Sequence, residues 1–267
     1  MYKRQADGGV DALYAWLLPG GAGAGVTLYD LESGWNFAHV DLALQNPAMV
    51  FGDQTPDFDQ REHGTKALGV MVARNNNEGV VGIAPGTSQI LTVSHYDAAS
   101  NTPGHVANAI IFAANAMDAA NREGDVLVLE AETYRSAVTG WPDHHPVEIK
   151  DAELGAIQLA IGLNMIVIEA AGNAGTDLDA YVAPKGTAIG KRTLWRDAPV
   201  GPGSPYRESG AIMVAAATST LPHKRWGLSN HGSRIDCYAW GERVASTGGG
   251  DLAFDFNINR WYTKSFN

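Results

Sequence analysis

Four short apolar runs recur along the chain, at residues 26–29, 89–93, 126–129 and 165–168, each bounded by polar or Gly-rich turns. Runs of this length without polar alternation predict strands buried on both faces of a parallel sheet. Between them, Val106, Ala109, Ile110, Ala113, Ala114 and Met117 return at three- and four-residue spacing, and so do Leu154, Ile157 and Ile161. That period predicts amphipathic helices. Strand and helix in alternation predict an α/β fold: a doubly wound, mostly parallel sheet with helices on both faces. Two later apolar segments, 211–217 and 235–240, extend the sheet. Residues 179–208, rich in Pro and Gly and without a period, are expected to form surface loop.

At 267 residues and 45% hydrophobic content, the chain can bury the core of one large domain. A net charge of -10 and a pI near 5.2 exclude phosphate-backbone binding, which needs clustered Lys and Arg, so no nucleic acid partner is expected. No apolar stretch reaches the eighteen or so residues of a membrane helix, so no membrane partner is expected either. Cys237 is the one cysteine, which rules out an internal disulfide; its alternating surroundings predict a small buried hydrophobe. Met1-Tyr2-Lys3-Arg4-Gln5 matches the translation of a sequencing adapter, so residues 1–5 are set apart from the domain, 6–267.

Candidate chemistry sits at the ends of the predicted strands, where open α/β sheets bind ligands. Asp30 follows the run 26–29 and precedes Leu31-Glu32-Ser33-Gly34-Trp35; its place at the strand end favours it over Glu32. His63-Gly64-Thr65 opens a helical run through Ala67, Val70, Met71 and Ala73. A histidine at a helix start gains nothing from the dipole and fits a base that is charged only transiently. Asn173 closes Ala170-Ala171-Gly172-Asn173, directly after a predicted strand. The glycines of 20–25 precede the first strand instead of following it, so they do not form a dinucleotide fingerprint.

These three motifs, in the order Asp, His, Asn, resemble those of the subtilisin-type serine peptidases, the subtilases. Ser209-Gly210-Ala211-Ile212-Met213-Val214, Ser229-Asn230-His231-Gly232-Ser233 and Tyr238-Ala239-Trp240-Gly241 resemble later structural segments of the family, so the likeness runs over roughly 9–267. One departure is visible. The commoner family motif has a small residue and then Gly directly after the carboxylate, whereas two further positions intervene after Asp30.

The resemblance implies a serine endopeptidase acting by acyl transfer. Asp30 would hold the imidazole, His63 would take and return the proton, and Asn173 would donate to the oxyanion. The serine is expected about three residues beyond Asn267, in a Gly-Thr-Ser motif after the approach segment 262–267. On this reading 6–267 is a partial peptidase domain, inactive by itself, and Ser229, Ser233 and Ser265 are not the nucleophile. The alternative is a subtilase fold without catalysis, serving as a binding or scaffolding module; the residue at the nucleophile position separates the two.

Glu130-Ala131-Glu132 stands where the family pairs a strand with extended substrate. It gives substrate-binding candidates together with Ser94 and Gly172, and its carboxylates would favour basic side chains. Ser94-His95-Tyr96 is a further candidate subsite. The resemblance also implies a peptide or protein substrate, a monomer, secretion and no required cofactor. Structural calcium is allowed, with Asp53, Asp57 and Asp59 as acidic loop residues, but no metal ligands are assigned. His144 and His145 are expected to be solvated loop residues.

Overall fold

The computed structural model describes residues 9–133, 144–181, 193–197, 208–253 and 256–266. Residues 1–5 and most of the Pro- and Gly-rich stretch after 181 lie outside these. In chain order the elements are α1 (Ala12–Ala15), β1 (Thr27–Glu32), α2 (Val40–Ala43), β2 (Ala48–Phe51), α3 (Phe58–Val72) and β3 (Gln89–Ser94). A two-stranded hairpin, β4 (Tyr96–Asp97) and β5 (Thr102–Pro103), leads to α4 (Val106–Ala119), β6 (Val126–Leu129), α5 (Asp151–Gly162) and β7 (Ile166–Ala170). Then come β8 (Ile212–Ala217), β9 (Cys237–Trp240), β10 (Val244–Thr247) and β11 (Tyr262–Phe266).

Seven strands form one sheet in the order β2-β3-β1-β6-β7-β8-β9, every neighbouring pair parallel. The order reverses direction at β1, between β3 and β6. That switch point opens a crevice at the strands' carboxyl ends. The predicted stripes of α4 and α5 are buried on one face with Tyr29, Leu31, Leu127, Leu129 and Val167. On the other face Leu68 and Val72 of α3 pack with Leu28 and Ile90.

Alternation along β1 then fixes the direction of its acids. Tyr29 and Leu31 face α4 and α5, so Asp30 and Glu32 share the face of Leu28, toward α3. β1 also runs to Glu32, past the apolar run that marked it in the sequence. Register pairing of Asp30 with Thr92 and of Glu32 with Ser94 holds the polar end in the sheet.

α3 begins at Phe58, capped by the Asp57 carboxylate, which accepts from Gln60 N at 3.0 Å. His63 therefore lies inside the helix, not at its start, and the dipole argument for it does not apply. Cys237 is also corrected: it is exposed. It pairs in register with Val214 on the edge strand β9, on a face that leaves Ile212 42% and Ile166 44% exposed. No described helix is long and apolar enough to cross a membrane.

Candidate active site

At the switch point, His63 Nδ1 lies 2.6 Å from Glu32 Oε1. The partner of the imidazole is thus Glu32 and not Asp30. Asp30 sits one pleat deeper on the same face, fully buried, and accepts from the Trp35 indole Nε1 at 2.7 Å. Burial, reinforced by the nearby Glu32 charge, pushes the Asp30 carboxyl well above the usual carboxylate range. A carboxyl shifted in that direction is the poorer countercharge for an imidazolium.

The His63-Gly64-Thr65 motif has a packing reason. A β-carbon at Gly64 would run into the Gly34 carbonyl and the Trp35 indole, so glycine lets α3 approach the turn after β1 closely enough for His63 to reach Glu32. The Thr65 hydroxyl donates to Arg61 O at 2.6 Å and accepts from Asn36 N at 2.8 Å, tying the same turn to the helix.

A cavity of about 370 Å³ is lined by Glu32, Ser33, His63, His95, Glu130, Glu132, His144 and Asn173, among others. It brings together His63 and Asn173, as expected, and Glu32 in place of Asp30. Asn173 Nδ2 donates to Glu132 Oε1 at 2.7 Å, and the other Glu132 oxygen lies 2.6 Å from His144 Nδ1. His144 thus lines the cleft while 56% of its side chain stays open to solvent, whereas His145, also expected to be solvated, is buried. Behind the Asn173 turn, the Asn230 side chain donates to Ala171 O at 2.7 Å and His144 O at 2.9 Å and accepts from Ala174 N and Thr176 N.

The substrate-binding candidates divide. Glu130 and Glu132 face the cleft. Ala131 is buried in the core with α4 and α5, because the strand period turns it away from its two neighbours. Ser94 is also buried, with its hydroxyl used by Ser33 O and Tyr96 N. Gly172 lines an adjoining cavity, but its role is conformational: φ is +91°, and a β-carbon would collide with the His144 carbonyl. His95 reaches the cleft wall with Nε2 2.9 Å from Ser33 Oγ, and burial lowers its imidazole to about 4.

Among the described residues, Glu32, His63 and Glu130 bring possible metal-ligand atoms within 4.8 Å of one another. An ion there would withdraw the imidazole from proton transfer. The acidic loop offers no such convergence: Asp53 accepts from Ala98 N and Asp57 caps α3.

The Glu32 charge lifts the His63 imidazole from 6.5 to about 9, with burial pulling the other way. Because the folded value is raised, the pair's contribution to stability is fully present below 6.5 and is lost as pH rises through about 9. Since 43% of the His63 side chain is open to solvent, screening brings the working value below that limit. A base must be neutral to act, so any proton transfer through His63 is expected to strengthen as pH rises, with a midpoint between 6.5 and about 9. A pH profile with its midpoint below 6.5 would contradict the pairing.

The class is an α/β protein with a doubly wound parallel sheet, a carboxylate–imidazole pair at its switch point and a carboxamide two strands away, after β7. Comparison with known proteins narrows it: residues 25–265 match the Subtilase family, peptidase S8, and the chain belongs to that family. It is 25% identical to subtilisin E of Bacillus subtilis (strain 168) over 230 residues, 85% of this chain and 50% of that protein. Against subtilisin of Bacillus pumilus it is 26% identical over 231 residues, covering 85% and 69%. The chain thus spans about half the length of subtilisin E. Among solved structures, the psychrophilic subtilisin-like protease Apa1 from Pseudoalteromonas sp. AS-11 superposes with a TM-score of 0.58 at 21% identity, covering 88% of this chain and 46% of that one. At that identity the likeness speaks for the fold.

Proposed function

We propose that the protein to which this chain belongs is a serine endopeptidase that cleaves peptide bonds by acyl transfer. The observation that carries the reading is the 2.6 Å contact between Glu32 and His63 Nδ1, which fixes the tautomer and leaves Nε2 toward the cleft. Hydroxyls on β10 tie that strand to α3: Ser246 donates to Lys66 O at 2.5 Å and Thr247 to Thr65 O at 2.6 Å. β11 pairs antiparallel with β10, and its Phe266 ring meets the His63 ring edge-on at 5.3 Å between centroids. The approach strand thus arrives at the imidazole, where a serine shortly after it would be in reach.

In this scheme the serine oxygen attacks the substrate carbonyl while His63 Nε2 takes its proton. The carbonyl oxygen becomes an oxyanion that Asn173 Nδ2 stabilises. His63 then protonates the leaving amine, and a water molecule, activated in the same way, releases the acyl group. Glu32 holds the imidazole and balances its charge. The chemistry calls on no cofactor. The substrate is a peptide or protein chain, and the enzyme acts as a secreted monomer.

The test is labelling of folded protein with a serine-directed fluorophosphonate. The intact peptidase is expected to be labelled at one serine, while residues 1–267 alone stay unlabelled, since no described serine hydroxyl hydrogen-bonds His63: Ser265 turns to Asp251 at 2.6 Å and Ser233 to Asp179 at 2.7 Å. A folded intact protein that takes no label and cleaves nothing would support a non-catalytic module instead. Asn173→Ala is expected to lower kcat of the intact enzyme by about 10²–10³, the loss measured for the matching donor in subtilisin and taken over from it. Steady-state kinetics on a peptide substrate checks this.

A further inference from the structure

Glu132 uses both carboxylate oxygens inside the cleft. One accepts from Asn173 Nδ2 at 2.7 Å, and the other lies 2.6 Å from His144 Nδ1. We propose that Glu132 is a positioning residue that holds the Asn173 carboxamide for the oxyanion, with His144 as its second partner. The proposal rests on the reading of Asn173 given above.

A carboxamide presents nearly identical ends, and a free one at the mouth of a cleft turns either its oxygen or its nitrogen inward. An ionised carboxylate only accepts, so it selects the nitrogen end. One amide hydrogen then goes to Glu132 and the other remains for the substrate oxygen. An oxyanion site works by holding its donors in place before charge develops. Glu132 does this for a side chain that is otherwise exposed.

A carboxylate close to a developing oxyanion would oppose it unless its charge were balanced. His144 Nδ1, 2.6 Å from the second oxygen, is held where an N–H there would draw off part of that charge by hydrogen bonding. Its backbone adopts φ +54°, in the left-handed region that a residue with a β-carbon seldom occupies. Its carbonyl accepts from Asn173 N at 3.0 Å and Asn230 Nδ2 at 2.9 Å, and its N–H donates to Thr133 O at 3.0 Å. The same backbone unit therefore fixes the main chain of Asn173 and, through Glu132, its side chain. The glycine at 172 admits that carbonyl.

The test compares E132A, E132Q, N173A and the double variant E132A/N173A in the intact peptidase, with active enzyme counted by fluorophosphonate titration so that misfolded protein does not enter the rates. E132A is expected to lower kcat about tenfold or more with little change in KM, the mark of an interaction felt in the transition state. E132Q, whose amide can accept from Asn173 Nδ2 or donate to its Oδ1 and so no longer selects the nitrogen end, is expected to recover only part of that loss. In the N173A background, E132A is expected to add nothing. Full activity in E132Q, an unchanged kcat in E132A, or additive losses in the double variant would overturn the proposal. If N173A alone left kcat unchanged, the oxyanion role of Asn173 would fall first, and the proposal with it.

Discussion

Replacing Glu32 with glutamine in the intact peptidase is expected to lower kcat by about 10⁴, whereas Asp30→Asn changes it a few-fold at most. The size of the first effect is taken over from subtilisin, where removing the triad carboxylate costs about 3 × 10⁴. Its cause is visible here. Glu32 Oε1 accepts from Nδ1 of His63, so Nε2 is left without its hydrogen and free to act as the base. A glutamine amide can donate to Nδ1, which favours the opposite tautomer and removes the countercharge. Asp30 has no such part: its buried carboxyl already favours the neutral form, and asparagine keeps an oxygen for the Trp35 indole. Steady-state kinetics on the two variants decides between the acids. A large loss in Asp30→Asn, with Glu32→Gln nearly unaffected and both folded, would reverse the assignment.

Arg234→Met is expected to destabilise the protein by about 3–5 kcal/mol, the range for breaking a buried pair by removing one partner. Arg234 and Glu148 are both fully buried and joined by two bonds, Nε to Oε1 at 2.7 Å and Nη2 to Oε2 at 3.0 Å. Asp236 takes a further guanidinium nitrogen at 2.9 Å, and Ala211 O another bond at 3.0 Å. Glu169 lies beside them, accepting from Glu148 N at 2.8 Å, its carboxyl raised well above the usual range by burial and then by Glu148. With the guanidinium gone, Glu148 would be a buried charge without its partner. Thermal melts are expected to show Tm lower by roughly 6–20 °C. A double variant, Arg234→Met with Glu148→Leu, should recover most of the loss because no buried charge is stranded. An unchanged Tm in Arg234→Met would show that the cluster does not carry stability.

The exchange of Asp30 for Glu32 shows how far local pattern reached. The apolar run ends at Tyr29, so Asp30 looks like the strand's last residue, yet pairing with β3 carries the strand on to Glu32. A signal for the acid that meets His63 was present. Glu32-Ser33-Gly34 itself places a small residue and then Gly directly after a carboxylate, the form whose absence after Asp30 counted as a departure. His144 gave no comparable signal, because what makes it part of the site is the meeting of Glu132, Asn173 and Asn230, distant in sequence. The Arg234 cluster was equally silent: Glu148, Glu169 and Asp236 come together only when the turn before α5, strand β7 and the segment leading into β9 pack.

The sequence by itself determined the layers of this protein: strands and helices whose periods dictate which faces are buried, and the order of a histidine and an asparagine at strand and helix positions that converge. Those features depend on near neighbours, and near neighbours are legible in a linear pattern. Only the tertiary structure decided which of two acids, one pleat apart on the same face, meets the imidazole, and which carboxyls burial pushes above their usual range. Both follow from burial and from partners brought together by parallel pairing, and neither quantity exists until the chain has folded.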